Sequence, residues 1–117
     1  MYFVVYCLCH PSYENSDAWI IDVYQDEKIA NEIVEKLNNA FNSYWKRRDD
    51  LLTKSNVVYT KTRNDDVFEK WRNERSMNNE EIENLKSIHS RALKKYSYYD
   101  DVLEYKCDVI KNELYNL

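Results

Sequence analysis

Glycine is absent from this sequence of 117 residues, although an average usage of about 7% would supply roughly eight. A chain without glycine has no dinucleotide-binding fingerprint, no phosphate-binding loop and no nucleophile elbow, because each of these needs glycine at fixed positions. No helix can end in glycine either, so we expect asparagine wherever a left-handed residue is needed.

Long apolar runs are absent as well. The longest is "YFVVYCLC" at 2–9, far shorter than the roughly 20 residues that cross a bilayer, and no basic segment precedes it as in a signal peptide. With 32% charged and 44% hydrophobic residues, the composition is typical of one globular domain. We therefore expect a cytoplasmic protein without membrane contact, whose three cysteines stay reduced.

Positive charge is also in short supply. The chain has 17 basic and 21 acidic residues, which give a net charge of −4, and neither half of the sequence is basic. Proteins that bind duplex nucleic acid usually cluster lysine and arginine on one face. The sequence therefore gives weak support for direct duplex binding, and a local basic patch is confined to Lys46, Arg47 and Arg48.

What the sequence does contain predicts an α+β fold in a single domain, 1–117. Residues near 2–9 and 18–24 are rich in β-branched and aromatic side chains, and residues near 102–110 alternate between apolar and charged positions, so three strands of an antiparallel sheet are expected. A long helix over 26–52 would lie across one face of this sheet.

The apolar stripe of the long helix runs at three- and four-residue steps from Ile29 to Trp45 and then meets Arg48. We expect residues 29–41 to pack on the sheet and residues 44–54 to extend beyond it, towards the helical insertion or a partner. The charges near its end are expected to be exposed and to add little stability.

A helical insertion is predicted over 64–96, within a wider insertion of about 55–98. Its last helix would place His89 on an apolar face, so a histidine at the edge of the core is favoured over a catalytic base. Residues 55–62 are ambiguous between a short strand and a loop.

The cysteines raise the question of a metal site. Cys7 and Cys9 share one face of a strand, and Cys107 could lie beside them, but zinc needs four ligands and paired cysteines separated by two to four residues. His10 follows Cys9 directly and points to the opposite face. Buried thiols that behave as small hydrophobes are favoured, so we expect no metal, no cofactor and no enzymatic activity; a zinc protein or cysteine enzyme is the alternative.

Acidic doublets and tyrosines mark the candidate contact residues. Two doublets fall in predicted first turns of helices, where they offset the dipole, whereas the other two could form an acidic face or a solvated surface. The segment "KKYSYYDD" at 94–101 is either a recognition patch, since tyrosine is enriched at interfaces, or a polar loop. The candidate partner-binding residues are Arg47, Arg48, Asp49, Asp50, Lys94, Lys95, Tyr96, Tyr98, Tyr99, Asp100 and Asp101.

The first third of the chain resembles a pattern found in small proteins of phages and mobile elements. In these a hairpin precedes a helix carrying "A-x-x-x-V-x-x-L-N", which Ala30, Val34, Leu37 and Asn38 match, and a late strand completes the sheet. The resemblance implies the class of inhibitors of host defence, which includes anti-CRISPR proteins, and it implies action in a host cytoplasm. It assigns no functional residue.

Two functions follow as hypotheses. The first is a non-enzymatic inhibitor that binds and occludes a host defence or nucleic-acid-processing protein complex. The alternative is a protein that binds or sequesters a signalling nucleotide, with stacking by Tyr98 or Tyr99 and phosphate contacts from Lys94, Lys95 or the pair Arg47 and Arg48. A homo-oligomer would favour the second hypothesis, because such pockets often form between subunits.

Overall fold

A computed structural model describes residues 1–9, 17–93 and 103–110. Within these residues the chain forms six elements in the order β1 (Tyr2–Cys9), β2 (Asp17–Tyr24), α1 (Glu27–Thr62), α2 (Asp66–Glu74), α3 (Asn79–Ile88) and β3 (Leu103–Ile110). The strands form one antiparallel sheet in the order β2-β1-β3. The α+β prediction is confirmed, and the strands lie close to their predicted positions.

The core lies between α1 and one face of the sheet. Alternate residues of β1 supply Phe3, Val5 and Cys7, which are at most 7% exposed, and α1 supplies side chains at three- and four-residue steps. The buried residues of α1 are Ala30, Leu37, Phe41, Tyr44 and Ser55. The expectation that the first half of the helix packs on the sheet is therefore correct.

Asn38 fixes α1 to the outer edge of β3. Its side-chain Nδ2 donates to the backbone carbonyl of Tyr105, and its Oδ1 accepts from the backbone N–H of the same residue, both at 2.9 Å. Because that N–H bonds to Asn38, it points away from β1. The amide thus occupies the place of a further strand and closes the middle of an edge that would otherwise be open to pairing.

The first helix is longer than the sequence predicts. It continues to Thr62 rather than ending at 52, so the ambiguous segment 55–62 is helical. β-branched residues such as Val57 and Val58 favour strands in isolation, but the ring of Tyr59 packs against Phe68 of α2 with centroids 4.8 Å apart. This contact holds the end of α1, whose 36 residues give a length of about 54 Å, and the molecule measures 65 × 30 × 21 Å.

The end of α1 also corrects the expectation about asparagine. The left-handed residue at the C-cap is Arg63, with φ 54° and ψ 30°, and its N–H donates to the Tyr59 carbonyl at 2.7 Å. A side chain with a Cβ adopts this conformation at a cost. The guanidinium lies 5.7 Å from the centroid of the Tyr59 ring, a contact that asparagine could not make.

The helix starts follow the sequence. Asp26 Oδ1 accepts from the N–H groups of Lys28 and Ile29, as is typical of an aspartate at the N-cap of a helix. Asn78 forms a capping box with Glu81 at the start of α3. The doublets Asp65-Asp66 and Glu80-Glu81 lie at the first turns of α2 and α3, where negative charge is favourable.

A β-bulge in β2 connects the sheet to the end of α3. The register shifts between Val5 and Tyr6, which leaves Ile21 unpaired and buried in the core. The next residue, Asp22, accepts from the N–H of Val23 with Oδ1 and from His89 Nε2 with Oδ2, at 2.8 and 2.9 Å. His89 Nδ1 accepts from a backbone N–H, so Nε2 carries the proton that Asp22 binds.

In the part of the chain that the structure describes, no helix has both the length and the apolar character needed to span a membrane.

Replacing Asn38 with alanine removes both bonds to Tyr105 and leaves two half-buried backbone groups unsatisfied. We expect the free energy of unfolding to fall by about 1–3 kcal/mol, measured by urea denaturation. Asn39 is exposed, so Asn39→Ala should have no cost and a slight gain in helix propensity. Equal effects of the two substitutions would show that the closure of the β3 edge adds no stability.

The contacts of Asp22 should make the stability of the protein depend on pH. The hydrogen bond from His89, with that from Val23, holds the pKa of Asp22 below its ordinary value. A lowered pKa in the folded protein stabilises it above the unfolded value of about 4, and this contribution disappears as the pH falls through the folded value.

The variant Asp22→Asn should therefore be less stable than wild type at pH 7, and the difference should shrink below about pH 4. Thermal unfolding between pH 2 and 7 measures it, with the exposed Glu32→Gln on α1 as the control. A difference that stays constant over this range would contradict the role given to the His89 contact.

Candidate functional site

The face of the sheet opposite α1 is uncovered; it is apolar on β1 and β2 and mostly charged on β3. By register, this open face consists of Tyr2, Val4, Tyr6 and Leu8 of β1, Ala18, Ile20 and Val23 of β2, and Glu104, Lys106, Asp108 and Ile110 of β3. Among the described elements no helix packs on it, and Ile20, Val23 and Tyr2 are 54%, 46% and 39% exposed. Three strands of eight residues give it dimensions of about 14 by 27 Å, or about 400 Å².

A shallow depression of about 280 Å³ lies in the middle of the open face. Val4, Tyr6 and Ile20 form its floor and wall, and Asp108 and Ile110 close it on the side of β3. Val4 is only 7% exposed although it lies outside the core, because larger side chains surround it. The depression has the size and lining to receive one large apolar side chain.

One polar contact lies at the rim of the depression. The Tyr6 hydroxyl donates to Asp108 Oδ2 at 2.6 Å. This bond, together with burial and the negative charge of Asp108, raises the pKa of Tyr6 to about 12. The pair fixes the tyrosine ring and keeps a carboxylate beside an apolar surface, where it can accept a hydrogen bond from a basic group.

The predicted contact residues of α1 are the consecutive positions 47–50. The first of them, Arg47, already forms hydrogen bonds within the protein. Its guanidinium bonds to both carboxylate oxygens of Glu81, at 2.7 and 2.9 Å, and to the carbonyls of Glu74 and Ser76, each at 3.0 Å. The bond to Glu81 raises the pKa of Arg47 further. Arg47 therefore contacts the turn between α2 and α3, and its charge is only partly exposed, contrary to expectation. These bonds favour a larger contribution to stability than the sequence suggests.

Arginine–aromatic pairs recur along α1 and α2. Arg48 lies over the ring of Trp45 at 4.8 Å and donates to the Tyr44 hydroxyl at 3.3 Å. Arg75 lies over the ring of Trp71 at 5.1 Å. The backbone carbonyl of Arg75 accepts a hydrogen bond from the Tyr44 hydroxyl at 3.1 Å. Each arginine–aromatic pair lies within one helix, whereas the Tyr44–Arg75 hydrogen bond joins α1 to the end of α2. Of the basic patch predicted at residues 46–48, Arg47 and Arg48 contact other side chains of the protein and Lys46 is exposed.

The remaining predicted contact residues differ in what the structure says of them. Asp49 and Asp50 are exposed, and Asp50 borders a groove of about 530 Å³ with Lys46 and Lys54. The other candidates, Lys94, Lys95, Tyr96, Tyr98, Tyr99, Asp100 and Asp101, lie outside the described residues, as does His10.

The cysteines lie on adjacent strands without forming a cluster. Cys7 is opposite Tyr105, and Cys107 is opposite Val5. The described residues contain no group of three or more histidine, cysteine or carboxylate side chains placed to hold a metal ion. Burial raises the pKa of the Cys7 thiol far above its ordinary value and also raises that of Cys107, so neither thiol is a ready nucleophile at neutral pH.

The open face was missed as a site by the sequence analysis, although the sequence contains a signal for it. Both alternating rows of β1 are apolar, a pattern typical of strands that are covered on both faces. Of the helices that follow the hairpin, only α1 packs along the sheet, and it covers one face. What the sequence could not indicate is that Asp108 lies beside Tyr6, because that contact joins residues at opposite ends of the chain.

Comparison with protein-family models, with curated proteins and with solved structures returned no match to this chain.

Arg47→Met should destabilise the protein by about 1–3 kcal/mol, because it removes charged hydrogen bonds to a half-buried glutamate and to two carbonyls. The loss of stability should lie at the lower end of this range, since solvent screens the partly exposed ion pair between Arg47 and Glu81. Urea denaturation measures it, with Lys46→Met as the control, since Lys46 is an exposed neighbour. If Arg47→Met and Lys46→Met unfold at the same urea concentration, the turn between α2 and α3 does not depend on Arg47.

Proposed function

We propose that this chain is a non-enzymatic protein that binds and occludes a partner protein, as inhibitors of host defence encoded by phages do. The observation that carries the proposal is the open face. It combines an apolar floor, a depression for one side chain and, at the rim, the hydrogen bond between Tyr6 and Asp108. Protein-binding hot spots typically have this arrangement.

Stability alone does not explain this surface. An antiparallel sheet with one solvated face usually carries polar residues there, whereas β1 and β2 place Tyr2, Tyr6, Ile20 and Val23 on it. Exposed apolar patches of several hundred square ångströms commonly mark interaction sites. The apolar part of the open face, on β1 and β2, makes up about two thirds of the estimated 400 Å².

A phosphate-bearing ligand suits the described residues less well. The carboxylate of Asp108 borders the depression and would repel a phosphate. Arg47 and Arg48, which were candidates for phosphate contacts, bond to Glu81 and to Tyr44. The described site therefore favours a protein partner over a nucleotide.

A plating assay tests the proposal. The chain is expressed in bacterial strains that each carry one defence system, CRISPR–Cas systems among them, and phage plaques are counted. We expect at least a tenfold rise in plaques with one of these systems. Ile20→Lys should abolish the rise, because it places a charge in the apolar floor.

The matched control is Glu32→Lys, which changes an exposed residue of α1 on the far side of the molecule. It should leave the rise intact, and both variants should melt within a few degrees of wild type. A chain that raises plating in no strain, or whose effect survives Ile20→Lys, would contradict the proposal.

A further inference from the structure

We infer that the open face binds an amphipathic helix of the partner protein, with lysine or arginine along the flank that lies over β3. This inference rests on the proposed function and names the kind of partner segment. The open face has two unlike sides: β1 and β2 supply apolar side chains, whereas β3 supplies Glu104, Lys106 and Asp108.

The charge of the β3 side favours a basic flank. Lys106 Nζ lies 3.8 Å from Glu104 Oε1, so these two charges offset each other. Asp108 accepts only from the neutral Tyr6 hydroxyl among the described residues, which leaves its negative charge without a cation. Residues 46–75 contain nine of the 17 basic but only six of the 21 acidic residues, so the rest of the chain, which includes the sheet, is strongly acidic.

The edges of the sheet argue against an added strand. On β3, Asn38 occupies the backbone groups of Tyr105. On β2, the N–H of Val23 bonds to the side chain of Asp22, which is itself held by His89. Strand addition needs consecutive free backbone groups along an edge, and both edges are interrupted. The face itself remains for a partner.

The size of the face fits one helix. A helix with its side chains is about 10–12 Å wide, and about 18 residues cover 27 Å, which matches the estimated 14 by 27 Å. A second copy fits less well, because it would bring together two faces with the same net charge, −1 from Glu104, Lys106 and Asp108.

Helix on sheet is moreover a standard layer arrangement. On the opposite face α1 packs against the same three strands. A partner helix would complete a second layer and place one large apolar side chain in the depression between Tyr6 and Ile20.

A display library of random 20-residue peptides, with no secondary structure imposed, tests the inference on the purified chain. Enriched peptides should repeat apolar residues at three- and four-residue steps with lysine or arginine on one flank. By fluorescence anisotropy they should lose at least tenfold in affinity for Ile20→Lys and for Asp108→Lys. Glu32→Lys, which makes the same charge change away from the face, should bind them as wild type does.

A charge swap makes the test specific. Peptides whose basic flank is changed to glutamate should bind Asp108→Lys more tightly than wild type. Enriched peptides that alternate with a period of two, that are acidic, or that bind Ile20→Lys normally would overturn the inference, as would a failure to enrich any peptide. Sedimentation of a wild-type dimer that Ile20→Lys dissociates would assign the face to a second copy instead.

The outcomes separate the two proposals. If the library overturns the helix while Ile20→Lys still abolishes the plating effect, the protein binds its partner through the open face by another type of segment. If plating fails while the helical peptides bind as expected, the surface is correctly described and the inhibitory function is wrong.

Discussion

Ala30, Leu37, Phe41 and Tyr44 fill the space between α1 and one face of a small sheet, and all four are at most 4% exposed. The rest of the molecule depends on this contact. Because α1 is anchored there, its far half can leave the sheet and support α2 and α3 through Tyr59, Arg47 and Tyr44. A single helix thus connects the sheet to α2 and α3, and the segment after α3 returns to the sheet, where His89 bonds to Asp22 and the Ala92 carbonyl accepts from the Tyr105 hydroxyl.

The same constraint explains the open face. One helix covers one side of three strands, and α2 and α3 pack on the far half of α1 instead of on the other side. The apolar residues of β1 and β2 that point away from α1 are consequently not covered by any of the described helices. The edges are treated differently, since Asn38 and Asp22 each satisfy outward backbone groups. Each of these bonds interrupts an edge of the sheet and opposes the addition of a further strand there.

The roles of Arg47 and Arg48 depend on which residues the fold places around them. In the sequence, Arg47 and Arg48 follow an apolar stripe and resemble a surface patch. In the structure, Arg47 bonds to Glu81 across the interface between α1 and α3, and Arg48 lies on Trp45. Guanidinium groups suit this role, because they form several hydrogen bonds in a plane and stack on aromatic rings.

The sequence by itself determined the α+β class, the three strands, the start of α1 near residue 26 and the burial of Cys7, because these follow from local periodicity and from short-range hydrogen bonds. The tertiary structure alone decided where α1 ends, since strand-favouring residues such as Val57 become helical once Tyr59 packs on Phe68. It also decided the site. Tyr6 and Asp108, like Asn38 and Tyr105, are far apart in sequence, and no local pattern encodes which residues of distant strands and helices become neighbours.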